Sequence, residues 1–257
     1  MKTHFNINYE MDKRKVHESI SDVVNADGKG YICVADGVVM NTANRNQDYL
    51  SVVNGGLFSI CDSSWVPLYL KSIYGVSYEQ YCGAEIFRDI VSSRKYRMIF
   101  LGTRQSTLDA LQSELGKTMN PDVKDMKFVE LPFRTVEEFD YPNIAKMIEA
   151  DGAQIIWVAL GAPKQERFMN KLLPYLKTGV MLGVGAVFKF YSGVDENRCP
   201  KWIQKHHMEF LYRIWQDPKK QLKRCFWIII TLPKLYIQEY TKKLRSDKRI
   251  EVQTSIT

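Results

Sequence analysis

Asp62 closes the apolar run LFSIC and is followed by Ser63, Ser64 and Trp65. A carboxylate at the end of a strand is suited to take a proton from a hydroxyl, the work of a general base. An Asp before SSW is also a good helix N-cap, and residue type alone leaves both readings open. A second group is GAPKQE, Gly161–Glu166, after the apolar run QIIWVAL. Its glycine lets backbone approach a ligand, and Pro163 presets φ for a first helical turn. Lys164 and Gln165 then stand at a helix N-terminus, where a cation, an amide and a positive helix end suit phosphate or a sugar hydroxyl. The plainer alternative is an ordinary strand–helix turn. Thr42-Ala43-Asn44 offers donors and acceptors to a sugar or nucleotide, or simply a capped turn. LGVGAVFKFYSG, residues 182–193, holds half of a dinucleotide fingerprint: it lacks the third glycine and a following acidic residue at a strand end. Gly183 and Gly185 are therefore read as admitting another ligand or a tightly packed helix, not NAD.

Other chemistries have little to stand on. His206 and His207 are adjacent, so on a helix they point about 100° apart, and there is no HExxH. Glu137-Glu138 and Asp195-Glu196 read as solvated faces. Neither GxSxG nor GxxxxGK[ST] occurs, which removes the serine-hydrolase and P-loop readings. Five scattered cysteines without a CxxC argue against a disulfide framework or a zinc site and for a reducing cytoplasm.

The elements that must position these residues alternate. Strand-like runs are predicted at 5–9, 31–39, 57–61, 97–102, 127–131, 154–160 and 180–185. Helical patterns lie near 14–25, 45–54, 64–74, 83–92, 105–116, 143–150 and 164–176, with Ser106 as a cap for the helix after Gly102. Alternation of this kind predicts an α/β fold, a Rossmann-like, mainly parallel sheet flanked by helices, over residues 1–195. Ligands of open α/β sheets bind beyond the carboxyl ends of the strands. The turns Met40–Asn46, Cys61–Trp65, Leu101–Ser106 and Leu160–Glu166 are the polar candidates. Residues 196–257 read as a basic helical C-terminal appendage, with helical spacing over His206–Trp215.

The 257 residues are 45% hydrophobic and 25% charged, which excludes disorder as the main state. No apolar run reaches the roughly 18 residues needed to span a bilayer, and the first 20 residues lack the apolar core of a secretory signal. The net charge of +7 is concentrated: residues 1–188 carry 21 cationic and 22 acidic side chains, residues 189–257 carry 15 and 7. Within KKQLKRCFWIIITLPKLYIQEYTKKLR an apolar stretch, Phe226–Ile237, is flanked by cations and carries Pro233, expected to bend it. Such a helix suits an anionic membrane surface, the alternative being a helix packed on the body with its lysines in water. A nucleic-acid or membrane adaptor built on residues 198–249 is a rival, but no stacked aromatic platform accompanies the charge. A NAD-dependent oxidoreductase is the other.

Taken in order, the motifs resemble the bacterial WecG/TagA/CpsF glycosyltransferases, glycosyltransferase family 26. GAPKQE, GVGAVFKFYSG, RCPKW and MEFLYRIWQDPKKQLKR look like its G-x-P-K-Q-E, G-V-G-x-x-F-D-F-x-x-G, R-A-P-x-W and L-E-W-x-x-R-L-x-x-E-P-x-R signatures. TAN at 42–44, Asp62, CGAE at 82–85, FLGT at 100–103 and LPFR at 131–134 support them, over roughly residues 5–225.

The resemblance implies a metal-independent, inverting transferase without a cofactor. It would move a hexose or N-acetylhexosamine, such as N-acetylmannosamine or its uronic acid, from a UDP-sugar donor to an undecaprenyl-diphosphate-linked acceptor. The setting would be the cytoplasm, at the inner face of the membrane, in cell-surface polysaccharide synthesis, with no nucleic acid and a homo-oligomer left open. Carried over, Asp62 is the base; Thr42, Asn44 and Gln165 hold donor sugar and acceptor; Gly102, Gly183, Gly185 and Glu166 lie around the nucleotide. Lys164 joins them at the helix end, and Arg213, Lys220, Lys223 and Arg224 reach the diphosphate. The chain departs from the pattern at Ser63, usually Gly, at Lys189, usually Asp, and at Glu85, usually Asp.

Overall fold

The computed structural model describes residues 1–193 and 218–254. The elements are β1 (Lys2–His4), β2 (Ile7–Tyr9), α1 (Lys13–Asn25), β3 (Lys29–Ala35), α2 (Gly37–Arg45), α3 (Gln47–Asn54), β4 (Phe58–Cys61), α4 (Trp65–Tyr74) and α5 (Gly83–Ser93). There follow β5 (Met98–Gly102), α6 (Gln105–Thr118), β6 (Lys127–Val129), α7 (Tyr141–Asp151), β7 (Ile155–Ala159), α8 (Lys164–Leu172), β8 (Gly179–Gly183), α9 (Val187–Ser192) and α10 (Pro218–Thr254).

One eight-stranded sheet runs β1-β2-β4-β3-β8-β7-β5-β6. Only the β1–β2 hairpin is antiparallel. This is the expected Rossmann-like architecture. β5, β7 and β8 are buried at every position, which is why they read as unbroken apolar runs: a parallel strand covered on both faces has no polar side to show. One face carries α2, α3, α4, α7 and α8 on a core that includes Met40, Tyr49, Phe168 and Met181. The opposite face carries α1, α5, α6 and α9 around Phe87, Phe100, Trp157 and Phe188.

Several boundaries differ from the sequence reading. The run predicted as a strand over 31–39 stops at Ala35. Asp36 then accepts from the backbone N–H groups of Val38 and Val39 at 2.9 and 2.8 Å and starts α2. The expected turn Met40–Asn46 is therefore helix, because VVM is apolar for burial under a helix and not along a strand. Asn46 divides the helix expected at 45–54, capping the end of α2 and the start of α3. The predicted strand 5–9 is a hairpin, with Phe5 and Asn6 at φ 51° and 63° forming its two-residue turn. Ser106 is not a cap, since α6 begins at Gln105 after Arg104. The expected boundary at 195 and the helix over His206–Trp215 lie outside the described residues.

α10 docks on the body. Leu232 and Leu235 are buried in the core beneath α2 and α4. Thr231 donates to Asn41 of α2 at 2.6 Å, Arg45 of α2 stacks its guanidinium 3.5 Å from the Trp227 ring centroid, and the Tyr236 and Ser72 hydroxyls bond at 2.9 Å. These contacts lie on both sides of Pro233, and the helix continues through it. Glu239 fastens the far end: its carboxylate lies 3.1 Å from His4 Nδ1 and accepts from the Phe5 N–H at 3.1 Å and the Tyr74 hydroxyl at 2.9 Å. Burial opposes its charge, but the bonds from His4, Tyr74 and Phe5 outweigh it and hold the carboxyl below the usual range. That stabilisation is complete above the ordinary carboxyl pKa and fades as pH falls through the lowered one.

Replacing Glu239 by Ala removes the acceptor of the buried Phe5 N–H and of the half-buried Tyr74 hydroxyl, together with the partner of buried His4, a loss of about 3 kcal/mol. Hydrogen exchange of the amides between 231 and 241 is expected to quicken about 100-fold while β5 and β7 amides keep their rates. Unchanged exchange in α10 would mean that this carboxylate does not hold the helix.

Candidate functional site

All strands but β1 run parallel, so their carboxyl ends share one edge. Here the following helices part. α2 after β3 and α8 after β7 turn to one face, α9 after β8 and α6 after β5 to the other. Divergence of this kind leaves the strand ends between them uncovered, the position where open α/β sheets take ligands. Asp62 follows β4, Gly183 to Gly185 follow β8, the Gly161–Lys164 turn follows β7, and Gly102 ends β5. With β3 and β8 between them, β4 and β7 lie about 14 Å apart at ordinary strand spacing.

Helix N-termini crowd this edge, and most already face a carboxylate. Asp36 caps α2. Asp62, half-buried, accepts from the Gly83 N–H at the start of α5 at 3.4 Å, and Glu85 accepts from Cys82 N–H at 3.2 Å. Asp62 thus reaches the start of α5, while α4, which follows it directly, begins after Ser64 without a side-chain cap. Glu130 accepts from the first amide of α6 at 2.8 Å. α8 has no side-chain cap. Its first residue, Lys164, brings a cation to the same point, with Nζ 5.3 and 5.2 Å from the Phe133 and Phe139 ring centroids. The ends of α4 and α9 lack a side-chain cap as well, and the Glu166 carboxylate lies in the first turn of α8, so the α8 end is set apart by Lys164, a cation beside helix N–H groups of the kind that suit an anion.

Gln165 and Glu166 are not on the surface; they are 4% and 0% exposed. The Gly161 N–H donates to Gln165 Oε1 at 3.1 Å, Gln165 Nε2 donates to Glu166 Oε1 at 2.9 Å, and the Tyr49 hydroxyl of α3 donates to Glu166 Oε2 at 3.0 Å. Burial pushes the Glu166 carboxyl up to about 7, against these hydrogen bonds and with the negative charge of Asp36 added. Its contribution to stability is full below the ordinary carboxyl range and is lost as pH rises through about 7, on the order of 3 kcal/mol. The same burial and the Glu166 charge drive the Tyr49 hydroxyl and the Cys33 thiol upward. Tyr49 and Asp36 were not singled out from sequence. An Asp before GVVM was a readable cap signal; nothing local marked Tyr49.

The glycines have backbone reasons. A Cβ on Gly183 would come within 2.8 Å of Met169 Cε and 3.1 Å of Gln165 Nε2, so this residue makes room for the Gln165 amide. Gly185, at φ 55°, faces Gln165 Oε1. Gly102 has φ 119°, and a Cβ there would stand 2.6 Å from the Ala159 carbonyl oxygen on β7. Thr42 and Asn44 ride on the second turn of α2. Asn44 is engaged by the N-terminal hairpin, donating to Phe5 O at 3.0 Å and accepting from Asn6 Nδ2 at 2.9 Å. The structure thus joins Gln165, Glu166, Gly183 and Gly185 in one cluster, with Asp62 and Gly102 on the same edge and Asn44 turned to the hairpin. Arg213 lies outside the described residues, as do the side chains of Lys220, Lys223 and Arg224, whose backbone is in α10. Among the described residues no three His, Cys, Asp or Glu side chains gather as a metal would require.

A family model described as "Glycosyl transferase WecG/TagA/CpsF family" matches residues 4–249. Two similar proteins carry the name N-acetylglucosaminyldiphosphoundecaprenol N-acetyl-beta-D-mannosaminyltransferase. The one from Bacillus subtilis (strain 168) is 24% identical over 79% of this chain and 81% of its own length. The one from Bacillus spizizenii is 23% identical over 85% of this chain and 81% of its own.

Gly102→Ala is expected to cost about 3 kcal/mol, from the positive φ and the collision with β7, and to lower the unfolding midpoint in denaturant. A variant as stable as the parent would show that the edge of β5 yields, and that a glycine is needed there for some other reason.

Proposed function

Since the chain belongs to the glycosyl transferase WecG/TagA/CpsF family, we propose that it transfers a hexose or N-acetylhexosamine from a UDP-sugar to a saccharide on undecaprenyl diphosphate, with inversion and without a metal. The names of its Bacillus relatives favour N-acetylmannosamine as the sugar moved and an N-acetylglucosaminyl lipid diphosphate as the acceptor. The observation that carries the reading is the arrangement of charge along the carboxyl edge. A half-buried carboxylate, Asp62, stands at one side, and the uncapped α8 end with Lys164 stands at the other. A separation of about 14 Å between their strands suits an extended nucleotide sugar lying between them, and not two groups on one atom.

In this reaction the acceptor hydroxyl gives its proton to Asp62 as its oxygen attacks the anomeric carbon from the side opposite the diphosphate. The anomeric carbon–oxygen bond to the diphosphate breaks, and UDP leaves with the bonding electrons. The growing negative charge is met by Lys164 and the N–H groups of α8, fixed before the reaction begins. Arg213, Lys220, Lys223 and Arg224 are read as the cations that complete the diphosphate site, and Thr42 and Asn44 as contacts to sugar on the α2 side.

The membrane-bound acceptor calls for a way to the bilayer surface. Among the described residues no helix is long and apolar enough to cross a membrane. The outer face of α10 instead exposes Phe226, Ile230, Ile237, Tyr240 and Leu244, beside Trp65 and Leu68 of α4. Exposed Lys71, Lys234, Lys242 and Arg245 flank this stripe. Apolar side chains with cations at their borders match the headgroup boundary of an anionic leaflet. This supports peripheral attachment at the cytoplasmic face.

Asp62→Asn is expected to lower kcat at least 100-fold, with UDP affinity within about threefold of the parent and an unchanged circular dichroism spectrum; full turnover would remove Asp62 as the base. Ile237→Glu with Leu244→Glu, both on the exposed face, is expected to weaken binding to vesicles containing phosphatidylglycerol about tenfold or more. Transfer to a short-chain soluble acceptor should persist in that double variant. Unaltered vesicle binding would move the membrane contact elsewhere.

A further inference from the structure

The buried line Gly161–Gln165–Glu166–Tyr49 has a direction. Gly161 donates to Gln165, Gln165 donates to Glu166, and Tyr49 donates to Glu166. Only one orientation of the Gln165 amide fits. Turned over, it would set its NH2 against the Gly161 N–H and its oxygen against the Glu166 carboxylate. Gly183 and Gly185 leave the space the amide occupies, and a Cβ at Gly183 would press on both the amide and Met169. Gln165 has no room to swing out without giving up both bonds. A buried amide that loses its acceptor has no water to replace it.

We propose that Glu166 is a positioning residue: an acceptor with Tyr49 as its second donor, it fixes the Gln165 amide, and through Gln165 it holds the Gly161 backbone at the base of the Pro163–Lys164 turn. This revises the role expected for Glu166 from the motif, which placed it beside the nucleotide. The residue is fully buried, and its two carboxylate oxygens are taken by protein donors. The ionisable groups that interact with it are Asp36 and Cys33 at β3, Tyr31 on the same strand, and Tyr49 on α3, over whose ring Arg167 lies. The effect on the reaction rests on the transferase reading, since the turn matters through Lys164 and the α8 end. The effect on Gly161 does not.

Two substitutions separate the role from bulk. Glu166→Gln keeps an oxygen toward Gln165 and turns its NH2 to the Tyr49 oxygen, so the line survives. Glu166→Leu keeps the volume and removes both acceptors. In the full chain labelled with 15N, Gly161 amide exchange in Glu166→Gln is expected within threefold of the parent, and in Glu166→Leu at least tenfold faster, with β5 amides unchanged. With a UDP-sugar and lipid acceptor, kcat of Glu166→Leu should fall at least tenfold while the donor KM moves less than threefold, and Glu166→Gln should restore kcat. Gly161 protection and kcat both unaltered in Glu166→Leu would overturn the proposal. Should that variant unfold, the parent itself decides. Gln165 side-chain amide protons that exchange with solvent at least tenfold more slowly than those of exposed glutamines support the fixed amide, and exchange at the exposed rate overturns it. If no form of the protein transfers sugar, the transferase reading fails, and the Gly161 and Gln165 signals still judge the line by themselves.

Discussion

The open edge of this protein follows from how four connections leave one sheet. β3 and β7 hand the chain to helices on one face; β8 and β5, interleaved with them, hand it to helices on the other. No helix can then close over the strand ends between. Each connection begins with a helix N-terminus, so the uncovered edge collects backbone N–H groups as well as space. Carboxylates at Asp36, Asp62, Glu85 and Glu130 answer several of these ends, while α4, α8 and α9 begin without a side-chain cap, α8 with Lys164 at its first position. An asymmetric edge, acidic over β4 and cationic over β7, is a consequence of which helices begin at a carboxylate and which begins at a lysine.

The appendage is tied to the same edge through α2. Thr231 and Trp227 of α10 grip Asn41 and Arg45, and Asn44 between them is held by the N-terminal hairpin. The hairpin is in turn held by Glu239. One face of α10 is thus spent on the body, and the other is left apolar and bordered by lysines. Of the two readings that composition allowed for this segment, a helix packed on the body describes the inner side, and a helix facing a membrane is the proposal for the outer one.

Much of this was legible in the residues. LFSIC ended in a polar turn and QIIWVAL ran straight into GAPKQE, so β4, β7 and the groups following them were read in place. The run YICVADGVVM defeated the reading because a strand buried on both faces and a helix lying on a sheet are equally apolar there. Only Asp36 told them apart, and missing its cap put Thr42 and Asn44 in a turn when they stand on a helix. Gln165 and Glu166 misled in a different way. Polar side chains in a motif suggest exposure, but their partners are Gly161 and, from 117 positions away, Tyr49. The docking of α10 was hidden for the same reason: Glu239 and His4 are 235 positions apart, and no local pattern carries a contact of that range.

On the proposed reading, the edge over β3, β8, β7 and β5 receives the nucleotide diphosphate. Amide chemical-shift mapping of the full chain titrated with UDP tests it directly. Saturable shifts are expected at Thr103, Gly161, Lys164, Val184 and Gly185, with the amides of α1 and of the opposite, amino-terminal strand ends silent. Shifts confined to the groove where Phe5 and Asn6 meet Leu235 and Lys242, or no saturable shift at any concentration up to the solubility limit, would contradict it.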